Sequence, residues 1–222
     1  MSSSEVLSPS VEEYLQAICR LSQMPDGVST TRLARRLSVK PASVTGMLRK
    51  LSEKGLITYR RYRNITLTRA GDRRANDLVR RHRLTERLLT DVLGVPLEEA
   101  HDEACRLEHA VSPALESRIA EKLGPPEACP HGNPLDVGAE DNTVRLVDAP
   151  ENLPLAVVRL EDESSEVVRY LAERNLLPGS RVKMKLREPL GGGVVLEVAG
   201  KTQILGADVA ASIRVRQVRR RR

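Results

Sequence analysis

The sequence contains no phenylalanine and no tryptophan, and only four tyrosines among 222 residues. Its cores must therefore be built from Leu, Val, Ile and Ala. Stacking bases on aromatic rings, the common way to hold single-stranded nucleic acid, has almost nothing to work with. Cysteine is scarce too. Cys19, Cys105 and Cys129 are too few and too widely spaced for a disulfide scaffold and suit a reducing compartment. No apolar run approaches the eighteen residues of a transmembrane helix. The opening MSSSEVLSPSVEEY has neither a basic n-region nor an apolar h-region. No secretory signal and no membrane partner are expected, and a cytoplasmic location is. With 40% apolar and 30% charged residues the composition is globular, and the length suits one large domain or two to three small ones.

The formal net charge of +6 conceals strong segregation. Arg32 to Arg87 holds 17 basic against four acidic residues, a net of +13. Leu88 to Glu166 holds five basic against 18 acidic residues, a net of −13. Val167 to Arg222 is basic again, 13 against four. A basic block joined to an acidic one implies two surfaces with different partners, the first suited to polyanions. The plainer alternative is a solvated surface whose blocks attract each other.

Periodicity orders the first block. Val11, Tyr14, Leu15, Ile18 and Leu21 fall at helical spacing over Ser10–Leu21, with Ser10 placed to cap. A turn at Met24–Gly27 precedes a short helix over Thr30–Leu37. Pro41 opens a second helix running to about Glu53, with Val44, Met47, Leu48 and Leu51 inward and Gly55 ending it. Two short strands, Leu56–Tyr59 and Ile65–Thr68, flank a tip with Arg60, Arg61 and Arg63. Three helices followed by a basic hairpin predict a winged helix-turn-helix. The helix opened by Pro41 would enter a major groove of double-stranded DNA, presenting Lys40, Ala42, Ser43, Thr45, Gly46 and Arg49. The tip arginines would meet phosphate or a minor groove. No Arg or Asn stands at the front of that helix, so phosphate contacts and DNA shape should carry much of the affinity. A protein-binding winged helix is the alternative.

A long helix is expected from Ala70-Gly71 to about Leu93, a second from Pro96 to about Val111, and a third over Ser112–Leu123. Gly124–Asp141 is rich in Pro and Gly and reads as a linker. Beyond it come five short strands (Ala156–Leu160, Arg181–Leu186, Val194–Val198, Thr202–Leu205 and Ser212–Val218) and one helix, Ser165–Arg174, a pattern expected of a small barrel.

The acidic block carries unusual chemistry. His82 and Glu86 are four residues apart and share a helix face. His101, Cys105, Glu108 and His109 sit at i, i+4, i+7 and i+8, within an arc of about 100° on a continuous helix. Imidazole, thiol and carboxylate converging on one stripe are costly to bury without a partner, and a divalent metal supplies one. Six donors exceed the needs of one tetrahedral zinc and suffice for two sites or a six-coordinate one.

RHRLTERLLTDVLG (81–94) followed by AHDEACRLEHAVS (100–112) resembles the diphtheria toxin repressor family of metal-dependent transcriptional regulators. SVEEYLQAI (10–18), SVTGMLRKLSEKGLI (43–57) and YRNITLTRAG (62–71) resemble that family's first helix, recognition helix and wing, and PHGNPL (130–135) its linker. The resemblance implies a mainly α fold with a small β part. It would comprise a winged helix-turn-helix domain (1–75), a helical metal-binding and dimerisation domain (76–140) and a C-terminal SH3-like, FeoA-type β-barrel (150–222). It implies one metal site from His82, Glu86 and His101, which the C-terminal domain, with Glu161, Asp162 and Glu163, could complete. It implies a second from Glu13, Cys105, Glu108 and His109. Iron-responsive members carry Met at the position of Glu13 and manganese-responsive members a carboxylate. The sequence mixes the types, with a carboxylate at Glu13 and a thiol at Cys105, so the reading leans to Mn²⁺ while Fe²⁺ stays open. Zn²⁺, Co²⁺ or Cd²⁺ would bind the thiolate in vitro. Cys129 and His131 are expected to be inert, and Cys19 a core residue.

The function so implied is a homodimer that binds a palindromic operator when metal-loaded and represses metal-uptake genes. The alternative is a metal-independent winged-helix DNA-binding protein with a structural metal site. A hydrolytic enzyme is disfavoured, because neither an HExxH motif nor a separate nucleophile appears.

Overall fold

The computed structural model describes residues 7–24, 27–60, 64–124, 128–135 and 142–218. It divides into two compact units, with the boundary at Arg81/His82 inside one continuous helix.

The first unit opens with α1 (Pro9–Ser22). Pro9, whose missing N–H costs nothing in a first turn, starts it after Ser8. Ser10, expected as the cap, lies inside the helix instead. The residues read as inward are buried, and Cys19 is buried among them at 1% exposure. In α2 (Thr30–Arg36) the Ser29 side chain accepts a capping bond from the Arg32 N–H. Leu33 and Ala34 are buried, whereas Leu37 falls just past the helix end and is half-buried. Helix α3 (Pro41–Glu53) buries Val44, Leu48 and Leu51, with Met47 packed against that core at its edge. Strands β1 (Ile57–Thr58) and β2 (Thr66–Leu67) pair antiparallel, Ile57 with Leu67 and Thr58 with Thr66. Thr68 then ties the next helix to the end of α3. Its hydroxyl donates to the Gly55 carbonyl at 2.7 Å and accepts from the Gly71 N–H at 3.1 Å. Only glycine fits at 71, because a Cβ there would lie 1.8 Å from the Leu56 carbonyl oxygen.

Helix α4 (Arg69–Arg87) crosses into the second unit, and one π turn (Leu88–Val92) continues it almost to Gly94. Helix α5 covers Leu97–Leu107 only. The expected run to Val111 is replaced by a 3₁₀ turn, Glu108–Ala110, which re-aims its side chains. Ser112 caps α6 (Pro113–Leu123), accepting from the Leu115 N–H.

Six strands follow: β3 (Val144–Arg145), β4 (Pro154–Leu160), β5 (Arg181–Glu188), β6 (Gly193–Val198), β7 (Lys201–Leu205) and β8 (Ile213–Gln217). Helix α7 (Ser165–Ala172) lies between β4 and β5, and α8 (Ala207–Ala211) between β7 and β8. All strands join one antiparallel sheet in the order β3-β8-β4-β5-β6-β7. The sequence pattern did not anticipate β3 or α8. The paired strands leave β3 at one edge and β7 at the other, with no pair closing a barrel among the described residues. Alternation along β4 and β6 buries Leu155, Val157, Leu160, Val194, Leu196 and Val198 against Val168 and Leu171 of α7.

Candidate metal centre

All the donors brought together lie in the second unit. Helical spacing stacks His82 and Glu86 on the last turns of α4, with His82 Nε2 3.0 Å from Glu86 Oε1. From α5, His101 Nδ1 comes within 3.1 Å of His82 Nε2 and 3.3 Å of Glu86 Oε1. The loop between β4 and α7 delivers Glu163, whose Oε2 is 3.1 Å from His101 Nδ1. The Ser165 hydroxyl donates to Asp102 at 2.9 Å, which fastens the start of α7 to α5 beside this loop. Behind His82, Glu108 Oε2 meets Nδ1 at 2.6 Å.

The Pro/Gly-rich segment supplies the other wall. Its backbone closes on itself through Cys129 N–H to Asn133 O (2.8 Å) and Gly132 N–H to Cys129 O (2.8 Å). It is stitched to β4 through Leu160 N–H to His131 O (2.9 Å), and Arg83 donates to the Pro134 carbonyl. Gly132 has φ +83°, and a Cβ there would stand 2.0 Å from the Val158 carbonyl oxygen. The Asn133 amide donates to the Leu160 carbonyl at 3.0 Å and to Glu163 Oε1 at 2.7 Å. So fixed, Cys129 and His131 are buried against Glu86 and Glu163 and are not the idle loop pair expected from sequence.

Three donor groups result: His82, His101 and Cys105; His82, Glu86, His101 and Glu163; and Glu86, Cys129, His131 and Glu163, each within 4.8 Å. Of the expected ligands, His82, Glu86 and His101 converge as read. Cys105 is exposed and joins His82 and His101, its sulfur 3.7 Å from His101 Nε2. Glu108 is turned inward by the 3₁₀ turn onto His82, and His109 Nε2 lies 3.6 Å from Glu108 Oε1. Neither belongs to the three groups. Glu13 is exposed on α1 of the first unit. Glu163 was one of three acidic neighbours in the sequence, and only the Asn133 bond singles it out.

The donors fit a divalent cation. If Nδ1–H of His82 donates to Glu108, Nε2 turns a lone pair toward Glu86 Oε1, which is also an acceptor. A cation or an extra proton must lie among them. Glu86 Oε2 and both ring nitrogens of His131 are buried without a hydrogen bond, and His131 Nδ1 lies 3.3 Å from Glu86 Oε1 without bonding geometry. Buried polar atoms left so are expensive unless a further partner binds.

The electrostatics describe the proton's hold on the cluster. Burial pulls the His101 imidazolium down, but its contacts with Cys105, Glu163 and Glu86 outweigh this and push its pKa up to about 12. Burial raises the Glu86 carboxyl, yet His82 beside it and the bond from His101 hold it well below the usual carboxylate range. Burial likewise raises the Cys105 thiol, while His101 and His82 bring it down to about 6. Cys129 is pushed well up, by burial first and then by the Glu86 and Glu163 charges.

In the first unit, α3 exposes Ala42, Ser43, Gly46 and Arg49, with Lys40 exposed just before its first turn. Thr45 is half-buried and its hydroxyl donates to the Pro41 carbonyl at 3.3 Å. A Cβ at Gly46 would meet nothing within 4 Å. Arg60 is exposed, and Arg61 and Arg63 lie outside the described residues.

Residues 6–65 match the family model described as the iron dependent repressor, N-terminal DNA binding domain. Residues 68–135 match the iron dependent repressor, metal binding and dimerisation domain, and residues 144–217 the FeoA domain. The chain is 33% identical over 231 residues to the iron-dependent repressor IdeR of Mycobacterium tuberculosis, covering 96% of this chain and 99% of that one. It is 31% identical over 228 residues to the diphtheria toxin repressor of Corynebacterium diphtheriae, with coverage of 96% and 99%. Among solved structures it is similar to a manganese-dependent transcriptional repressor in complex with manganese, at a TM-score of 0.86 and 34% identity over 94% of this chain and 100% of that one.

Proposed function

The chain belongs to the iron-dependent repressor family, and on that premise we propose that it is a metal-dependent, DNA-binding transcriptional repressor rather than an enzyme. The observation that carries the reading is the buried knot of His82, Glu86, His101 and Glu163, acceptor atoms that need a cation among them. A bound divalent cation would replace the protons that hold these side chains and fix their arrangement.

The division 1–75, 76–140 and 150–222 assigns reading head, metal-binding and dimerising helices, and FeoA-type module. The exposed Lys40, Ala42, Ser43, Gly46 and Arg49 would face the major groove, with Thr45 beside them and Arg60, Arg61 and Arg63 toward phosphate. Two chains paired through the middle helices would read the half-sites of a palindrome. His82, Glu86, His101 and Glu163 would hold one cation. Glu13, Cys105, Glu108 and His109 are kept as a second set, with Glu108 also orienting His82. Carboxylates and imidazoles favour Mn²⁺, and the Cys105 thiolate keeps Fe²⁺ in contention and admits Zn²⁺, Co²⁺ or Cd²⁺. Repression of metal-uptake genes in the cytoplasm is the role that fits. Among the described residues no helix is long and apolar enough to cross a membrane.

The full burial of Glu86 and His131 favours one competing reading, a structural metal in a metal-independent DNA-binding protein. Binding of the purified protein to DNA fragments upstream of metal-uptake genes, compared in chelator and in Mn²⁺, Fe²⁺ and Zn²⁺, separates the two. Metal is expected to raise affinity, and equal affinity in chelator and in every metal would remove the sensor.

A further inference from the structure

The geometry points to a single binuclear centre in the second unit, in which Glu86 and Glu163 are shared by two divalent cations, one on the His82–His101 side and one on the Cys129–His131 side. This rests on the reading of the cluster as a metal centre, and goes beyond it in number, coupling and selectivity.

Both carboxylates belong to both four-residue donor groups. Glu86 spends Oε1 on His82 and His101, at 3.0 and 3.3 Å, while its Oε2 is buried and unbonded. A carboxylate with one oxygen engaged and the other bare is disposed to bridge. Glu163 turns Oε2 to His101, and Oε1 accepts one bond from Asn133, leaving a second lone pair on that oxygen.

A single ion leaves the site unsatisfied. On the His82–His101 side it would leave both nitrogens of His131 bare. On the Cys129–His131 side it would leave His82 Nε2 facing Glu86 with no cation between them. Charge says the same. Two carboxylates and a Cys129 thiolate bring three negative charges into a buried site. One divalent cation leaves that charge uncompensated, whereas two bring the site near neutrality.

The two positions differ in softness. Imidazoles with carboxylates accept Mn²⁺ or Fe²⁺. A thiolate in place of an imidazole selects a softer ion, so the Cys129–His131 position prefers Zn²⁺ or Co²⁺ to Mn²⁺. That position is prebuilt, because Gly132, Asn133 and the Leu160–His131 backbone bond hold the segment in place.

The test uses the full chain, stripped with chelator under a thiol reductant and loaded with Co²⁺, which accepts both donor types. Anomalous diffraction should show two Co²⁺ peaks flanking Glu86 and Glu163, roughly 3.5–4 Å apart as in other two-metal sites. The double variant Cys129→Ser/His131→Ala should lose one Co²⁺ per chain and the peak on its own side while keeping the other. If that variant does not fold, Cys129→Ser alone should lose the share of the near-ultraviolet thiolate-to-cobalt band that a Cys105→Ala variant retains. One peak only, two peaks with no shared carboxylate, or unchanged Co²⁺ stoichiometry in the double variant overturns the proposal. DNA binding indifferent to metal, with both peaks present, would overturn the repressor reading and leave the binuclear centre standing.

Discussion

His82 Nδ1 and Glu108 Oε2 meet at 2.6 Å, and both side chains are buried. The contact fixes the ring, leaving Nε2 aimed at Glu86 and His101. Carboxylates behind metal-bound histidines typically carry 10–100-fold of metal affinity. We therefore expect Glu108→Ala to weaken Mn²⁺ binding by about that factor, as read by competition with a fluorescent chelator. Glu108→Gln can still accept from Nδ1–H and should recover part of the loss. Equal losses in both variants would show that the carboxylate charge itself is the ligand and that its orienting role is minor.

Gly132 combines φ +83° with a position where a Cβ would collide with the Val158 carbonyl. Gly132→Ala should destabilise the protein by more than about 1 kcal/mol, the usual scale for a side chain forced into a left-handed conformation, and the collision adds to it. Thermal melting in chelator measures the cost. Because this glycine seats Cys129 and His131, the melting temperature gained on adding Zn²⁺ should shrink as well. A variant with unaltered melting in both states would mean that the segment is not held as described.

Legibility in the sequence followed periodicity. His82 and Glu86 were found because both sit on an unbroken helix, where four residues bring side chains to one face. The same rule failed for Glu108 and His109, since the chain tightens into a 3₁₀ turn after Leu107 and rotates them off the stripe. The helices of the first unit were placed to within a residue or two, because their buried positions repeat and Pro41 and Gly55 punctuate them. Cys129 and His131 lie on a segment with no period, and what gives them a role is a bond from Asn133 to a residue 30 positions away. The clue available was CPHGN itself, donors beside a glycine that needs an unusual backbone. Strand β3 is two residues long, too short to show alternation, and is held by its pairing to β8.

The protonation of His101 gives a pH signature. Its pKa in the folded, metal-free protein is about 12, above the ordinary 6.5. A raised value in the folded state means that its contribution to stability is fully present below about pH 6.5. It is lost progressively as pH rises toward 12. A cation needs the deprotonated ring, so metal uptake near neutral pH expels that proton and strengthens as pH rises. The difference in melting temperature between Mn²⁺-loaded and chelator-treated protein should widen from pH 6 to pH 9. Calorimetry in buffers of different ionisation enthalpy should show protons released on binding. A constant difference and no proton release would indicate that His101 is not a ligand.

Gly46 separates stability from recognition. It sits mid-helix on the exposed side of α3, and the space where its Cβ would stand is empty to 4 Å. Nothing in the fold requires glycine there, and a helix interior disfavours it by roughly 0.5–1 kcal/mol relative to alanine. Gly46→Ala should therefore raise the melting temperature of the metal-free protein. If α3 lies in the major groove, a bare backbone at 46 allows close approach to the DNA, and added side-chain volume works against it. Affinity should fall modestly for Gly46→Ala and severely for Gly46→Leu, with metal binding unchanged in both, as measured by fluorescence anisotropy and metal titration on the same samples. A Gly46→Leu variant that binds operator like the parent would place the recognition surface elsewhere, while loss of metal binding along with DNA binding would mean that the substitution had disturbed the fold.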